Sequence, residues 1–206
     1  GTTYSDFFLA KYGWLGVELF FMISGFVIYM TLEKCSTFFI FIQRRWIRLF
    51  PAMLLASIVI YFSAGFLEDR PLGIPILTDV LPGLLFIEPL WVSKLFNIKQ
   101  GVLDGAFWSL FVEVKFYVFF GSMYYLINSQ YAKMALLLSF IGSVLISLLY
   151  KYCINIMPCI EYLQMINANM SFEYSGWFLI GVLGFDLHRL VSKKKIMQIS
   201  VDTGVL

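Results

Sequence analysis

Long apolar runs separated by short polar segments dominate the chain and set its element list. The first run covers residues 12–32, YGWLGVELFFMISGFVIYMTL, and is long enough to cross a bilayer with some tilt. It carries Glu18, with Ser24-Gly25 further along. Residues 33–48 end in Gln43-Arg44-Arg45-Trp46-Ile47-Arg48, and Pro51 follows. Proline is tolerated in the first turn of a helix, so a second span is expected to begin near Pro51 and run to about residue 66. Residues 68–75 form a turn-rich loop. Residues 76–96 are apolar but hold Asp79, Pro82, Gly83, Glu88 and Pro89, and read as a re-entrant or interfacial segment rather than a clean span. Further spans are expected over residues 106–127, 132–150 and 174–190, with a mixed, loop-like stretch at 151–173 and a polar tail from Ser192.

No strand alternation suited to a membrane barrel is visible, and no internal repeat or linker splits off a second domain. Backbone groups in lipid must be satisfied internally, so the expected fold is all-α: a polytopic transmembrane bundle of five to six spans, forming one domain over residues 1–206.

Composition agrees with the pattern. The 206 residues are 60% hydrophobic and 14% charged, with a mean hydropathy of +0.83, whereas soluble domains are about 45–50% apolar and about 25% charged. Abundant Phe, Tyr and Trp suit lipid-facing and interfacial positions. A net charge of +2, with no basic block interleaved with aromatics outside the spans, gives no sign of a nucleic-acid partner. Cys35, Cys153 and Cys159 form no CxxC pair and have no histidine at zinc spacing. They read as free thiols, with a Cys153–Cys159 disulfide open if that loop is extracytoplasmic. One histidine and scattered cysteines make no metal site.

Orientation follows from the Lys/Arg bias of short loops. With five spans, one side carries Lys34, Arg44, Arg45, Arg48, Lys133, Arg189, Lys193, Lys194 and Lys195; the other carries Lys11, Arg70, Lys94, Lys99 and Lys151. The richer side is assigned to the cytoplasm. A sixth span at 76–96 would move Arg189 and the lysine run outside, which favours the re-entrant reading.

Three polar constellations interrupt this apolar background. Glu113 lies inside an expected span, where an ionisable residue marks function by default. Ser109, Glu113 and Tyr117 are spaced i, i+4, i+8 and share one helix face, beside Trp108. A Glu113–Lys115 pair is a weak competitor, because residues two apart on a helix do not face each other. Arg45 and Arg48, three apart at an expected helix start, suit a phosphate-bearing ligand, with Arg44 adjacent; plain cytoplasmic anchoring explains them equally. Glu18 needs a partner or water, or it snorkels to the interface. His188, at a span end beside Arg189, reads as a C-terminal helix residue favoured by the dipole. No Walker loop, nucleophile elbow or HExxH is present.

Together these segments resemble the membrane-bound acyltransferase type 3 family, the O-antigen acetylase-like proteins. That family shows G-V-[DE]-x-F-F-x-x-S-G-F, then R-x-x-R-x-x-P, then W-S-L-x-x-E-x-x-[FY]-Y. This chain has Gly16-Val17-Glu18-Leu19-Phe20-Phe21-Met22-Ile23-Ser24-Gly25-Phe26, then Arg45-Trp46-Ile47-Arg48-Leu49-Phe50-Pro51, then Trp108-Ser109-Leu110-Phe111-Val112-Glu113-Val114-Lys115-Phe116-Tyr117. The resemblance implies a multi-pass protein of the inner membrane that moves an acyl group, usually acetyl from acetyl-CoA, to a hydroxyl of a cell-surface carbohydrate or lipid-linked saccharide. It implies that Arg45 and Arg48, with Arg44, hold CoA phosphates. It implies that Glu113, Trp108, Ser109 and Tyr117 line the transfer site and that Glu18 flanks it.

The resemblance also implies a base or acyl-carrying histidine in a preceding helix that bears an arginine a few turns earlier. No histidine precedes Glu18, the opening Gly1-Thr2-Thr3-Tyr4-Ser5-Asp6 is not a signal peptide, and family members are usually longer. The chain therefore reads as a truncated member. The competing functional class is a non-catalytic helical protein that binds or flips a lipid-linked glycan, or an inactive family remnant.

Overall fold

The computed structural model describes residues 13–66, 70, 72–96, 101–153 and 159–202. Among these residues there is no strand. The helices are α1 (Gly13–Leu32), α2 (Phe38–Ser63), α3 (Leu81–Leu85), α4 (Pro89–Phe96), α5 (Trp108–Leu126), α6 (Ser129–Cys153), α7 (Cys159–Met170) and α8 (Ser175–Asp202). Four stretches are long and apolar enough to cross a membrane: Leu15–Leu32, Phe38–Phe66, Gly105–Leu126 and Ser129–Tyr152. The chain is an all-α helical membrane protein. Fewer than one residue in five of the second and fourth stretches is buried, so their apolar side chains (Phe62, Leu138 and Leu145 among them) face outward, as in lipid. The expected fifth span, α8, has the length, but Asp186, His188 and Arg189 interrupt its apolar run.

The chain divides into two compact units: Gly1–Ser36 with Phe119–Leu206, and Thr37–Val118. In the first, α1 lies against α8 at glycines. A Cβ on Gly25 would stand 2.2 Å from the Phe178 carbonyl oxygen, and one on Gly181 would stand 1.9 Å from that of Met22. Small residues permit backbone-to-backbone approach, which is how membrane helices gain packing where lipid is as apolar as leucine. Rings close the seam: Phe21 lies 4.9 Å from Phe178 and 5.0 Å from Tyr174 between centroids. At one end Arg189 pairs with Glu33, Lys133 pairs with Asp186 and sits 4.9 Å from the centre of the Tyr29 ring, and Tyr125 donates to the Cys35 carbonyl at 2.9 Å. Asn128 caps α6 by accepting from the Gln130 and Tyr131 amides.

In the second unit, α2 begins at Phe38, with Thr37 at its N-cap, so the expected start at Pro51 is wrong. Pro51 lies inside a continuous 26-residue helix. Its ring carries no N–H, so the bond to the fourth preceding carbonyl, that of Ile47, is missing. Residues 76–96 form a 3-10 turn (Leu77–Val80), α3 and α4, each far shorter than the ~20 residues a span needs. Asp79 holds this segment by accepting from the Ile76 amide at 3.0 Å and the Gly101 amide at 2.7 Å. Phe86 ends α3 in the left-handed region (φ 57°), a strained setting for a non-glycine residue, and is itself buried with its ring 6.4 Å from Trp46.

Two further expectations fail. Among the described residues of 151–173 the chain is mostly helical rather than loop-like: α6 runs on to Cys153, and α7 occupies Cys159–Met170 and ends where Ser171 turns left-handed (φ 58°). The tail from Ser192 continues α8 to Asp202, so His188 is interior to a helix, its ring edge-on to Phe26, rather than at a C-terminus. The chain start through Tyr12, Lys99 and the side chains of Cys153 and Cys159 lie outside the described residues; Cys35 is a buried free thiol.

Candidate active site

Asp104 starts the site helix by accepting from the Ala106 amide at 2.7 Å, which sets the register of α5. Nine residues on, the Glu113 carboxylate is 5% exposed. One turn later the Tyr117 hydroxyl donates to Glu113 Oε1 at 2.6 Å, and Tyr117 is buried too. The i, i+4 spacing read from the sequence thus becomes a direct hydrogen bond. Lys115 points elsewhere and pairs with Glu88, just before α4, at 2.6 Å.

From α2, Arg45 enters the same cluster. It is 4% exposed, with its guanidinium carbon 5.6 Å from the Tyr117 ring centre and 5.9 Å from that of Phe41. Phe41 is fully buried and stands edge-on to Tyr117 at 6.0 Å. Phe41 is one turn before Arg45, so helical spacing identifies it once α2 is known to begin at Phe38. The arrangement joins a buried carboxylate, a phenol donating to it and a guanidinium within electrostatic reach of both. A charge at membrane depth is tolerated where another charge and hydrogen bonds meet it.

The other anticipated residues lie apart from this cluster or outside its unit. Arg44 and Arg48, four apart, are exposed on α2. They sit in its second and third turns, so the expected help from a helix N-terminus is absent, since that field fades within the first turn. Ser109 is half-buried and bonds the Ala106 carbonyl of its own turn at 3.4 Å; Trp108 is exposed. Glu18 is half-buried on α1, in the first unit. No group of three His, Cys, Asp or Glu among the described residues is placed to hold a metal ion.

A family model described as an acyltransferase domain, the type 3 acyltransferases, matches residues 9–201. The chain belongs to this acyltransferase family. It is a membrane acyltransferase. No curated protein and no solved structure matches the chain significantly.

Proposed function

We propose that the chain transfers acetyl from acetyl-CoA to a hydroxyl of a cell-surface carbohydrate or lipid-linked saccharide, as a multi-pass protein of the inner membrane. The observation that carries the reading is the buried Glu113–Tyr117–Arg45 cluster in a member of an acyltransferase family. The acceptor oxygen attacks the thioester carbonyl. Its proton passes to the Glu113 carboxylate, the carbon–oxygen bond forms, the carbon–sulfur bond breaks, and the departing thiolate takes the proton from Glu113. Tyr117 holds the carboxylate in place, and Arg45 balances its charge. The exposed Arg44 and Arg48 hold the donor's phosphates, because guanidinium forks match phosphate oxygens. Arg45, buried against Phe41 and Tyr117, serves the carboxylate rather than a phosphate. Trp108 and Ser109 line the approach, and Glu18 is assigned no step.

The test is acylation by the full-length protein in native membranes supplied with labelled acetyl-CoA. Glu113→Gln is expected to lower transfer about 10²- to 10⁴-fold, the usual contribution of a positioned general base, and Arg45→Ala to abolish it. Transfer persisting in both variants overturns the assignment.

A further inference from the structure

One face of α6, a helix long and apolar enough to cross the membrane, carries a groove of about 320 Å³. Phe140, Val144 and Leu148 line it, with Ser143 and Ser147 between them. Lys151, in the last turn of α6, and Glu173, in the 3-10 turn Phe172–Tyr174, line its other end. The six α6 residues are spaced i, i+3, i+4, i+7, i+8, i+11, a single helical face. Ser143 is the floor, 3% exposed, whereas Val144 and Leu148 stand out where lipid would be. The Phe140 ring closes the apolar end over Gly176 of α8, where a Cβ would stand 2.8 Å from it. At 1.5 Å per residue, Phe140 to Lys151 covers about 16 Å of helix axis, and half the hydrocarbon core is about 15 Å thick. The groove is therefore one leaflet deep, apolar at the bilayer middle and charged at its surface.

We propose that this groove holds one phospholipid whose zwitterionic head carries a primary ammonium, a phosphatidylethanolamine. The head must meet a cation and an anion at once. Neither Lys151 nor Glu173 is in an ion pair among the described residues. The Lys151 ammonium lies 5.6 Å from the Tyr152 ring centre and keeps its donors for a phosphate. Glu173 takes a bond from its neighbour Tyr174, and a carboxylate has further lone pairs for a lipid ammonium. A head with a net negative charge would gain Lys151 but be repelled by Glu173. A quaternary ammonium has no N–H to donate to the carboxylate. Ser147, one turn from Lys151 and so about 6 Å deeper, is level with the ester carbonyls and has no hydrogen bond among the described residues. Ser139, a turn beyond the groove, is already bonded to the Leu136 carbonyl at 2.9 Å. A hydroxyl in lipid is costly without a partner, and an ester carbonyl supplies one. One acyl chain then lies over Ser143 between Val144 and Leu148 and ends at Phe140. The proposal uses none of the residues assigned to acyl transfer and does not rest on that reading.

The test is native mass spectrometry of the full chain, released from a neutral detergent after titration with phosphatidylethanolamine, phosphatidylcholine or phosphatidylglycerol of identical acyl chains. One phosphatidylethanolamine is expected to bind about tenfold more tightly than either of the others, the worth of one charge-assisted hydrogen bond. Lys151→Ala is expected to weaken phosphatidylethanolamine and phosphatidylcholine alike, about tenfold. Glu173→Gln is expected to bring the three lipids to about equal affinity, and Ser147→Phe, which fills the groove, to remove the adduct. Lys151 and Glu173 are exposed, so their variants should keep the wild-type elution profile and melting curve. The proposal is overturned if the three lipids bind the wild type equally, as a non-specific lipid coat would, or if phosphatidylglycerol binds best. It is also overturned if the adduct survives in both Lys151→Ala and Ser147→Phe, or if the wild type flies as a dimer that Ser147→Phe separates, since a second chain then occupies the face. The readout is lipid binding without turnover, so its failure leaves the acyl-transfer reading standing, and absent acyl transfer leaves the lipid site standing.

Discussion

In the unit that pairs α1 with α8, two helices touch where side chains are missing; in the unit of residues 37–118, α2 and α5 meet around side chains that are costly to bury. Gly25 and Gly181 let the backbones approach until a single methyl group would collide with a carbonyl. Arg45, Tyr117 and Glu113 instead fill their interior with charge and hydrogen bonds. The first arrangement gains packing alone. The second forgoes packing that leucine or phenylalanine would supply, and apolar replacements of buried ion groups are often as stable or more so. The chemistry proposed above falls in the polar arrangement.

Three substitutions sharpen or break that contrast. The largest effect is expected from Gly181→Val, whose side chain collides with the Met22 carbonyl rather than with a flexible side chain. A loss above about 3 kcal/mol follows from forcing the helices apart, read as disappearance of the folded peak in fluorescence-detected size exclusion. A wild-type elution profile and melting curve for Gly181→Val would break the close-contact account.

Next, Arg45→Ala leaves the Glu113 carboxylate buried without its guanidinium and is expected to cost about 3 kcal/mol. The double variant Arg45→Met with Glu113→Leu should regain most of that stability while acylation stays lost. If the double variant melts no higher than the single one, the cluster is structural and the contrast between the units collapses.

The smallest effect is that of Tyr117→Phe, which deletes one hydroxyl that donates at 2.6 Å. About 1 kcal/mol of thermal stability should be lost, with acyl transfer falling proportionately more because Glu113 loses its orientation. Transfer unchanged in Tyr117→Phe would show that the carboxylate needs no positioning.

The span helices were legible in the sequence because lipid imposes both length and apolarity, and the pairing of Glu113 with Tyr117 was legible because it is local to one helix. Arg45 was singled out, but its burial was not foreseen. Reading Pro51 as a helix start placed the arginines at an N-terminus, whereas α2 runs through the proline and carries Arg45 inward beside Phe41. Phe41 was missed for the same reason. Pairings across elements, such as Lys115 with Glu88, carry no local signature. Helix α7 was read as loop because its Gln, Asn and Glu residues obscure an apolar period, and the run Lys193, Lys194, Lys195 was read as tail because charge suggested the helix had ended.

The packing of α1 on α8 at Gly25 and Gly181 also sets a timetable for biogenesis. Helix α1 leaves the ribosome before α8, and the surface it fits is encoded roughly 150 residues later, about 10–30 s at ordinary synthesis rates. Until then its Ser24-Gly25 face is open to any small-residue helix in the bilayer. Residues 37–118, translated within that interval, can complete their own contacts first. A ribosome that stops before Gly181 therefore leaves a finished polar unit beside an unmatched helix, a natural substrate for membrane quality control.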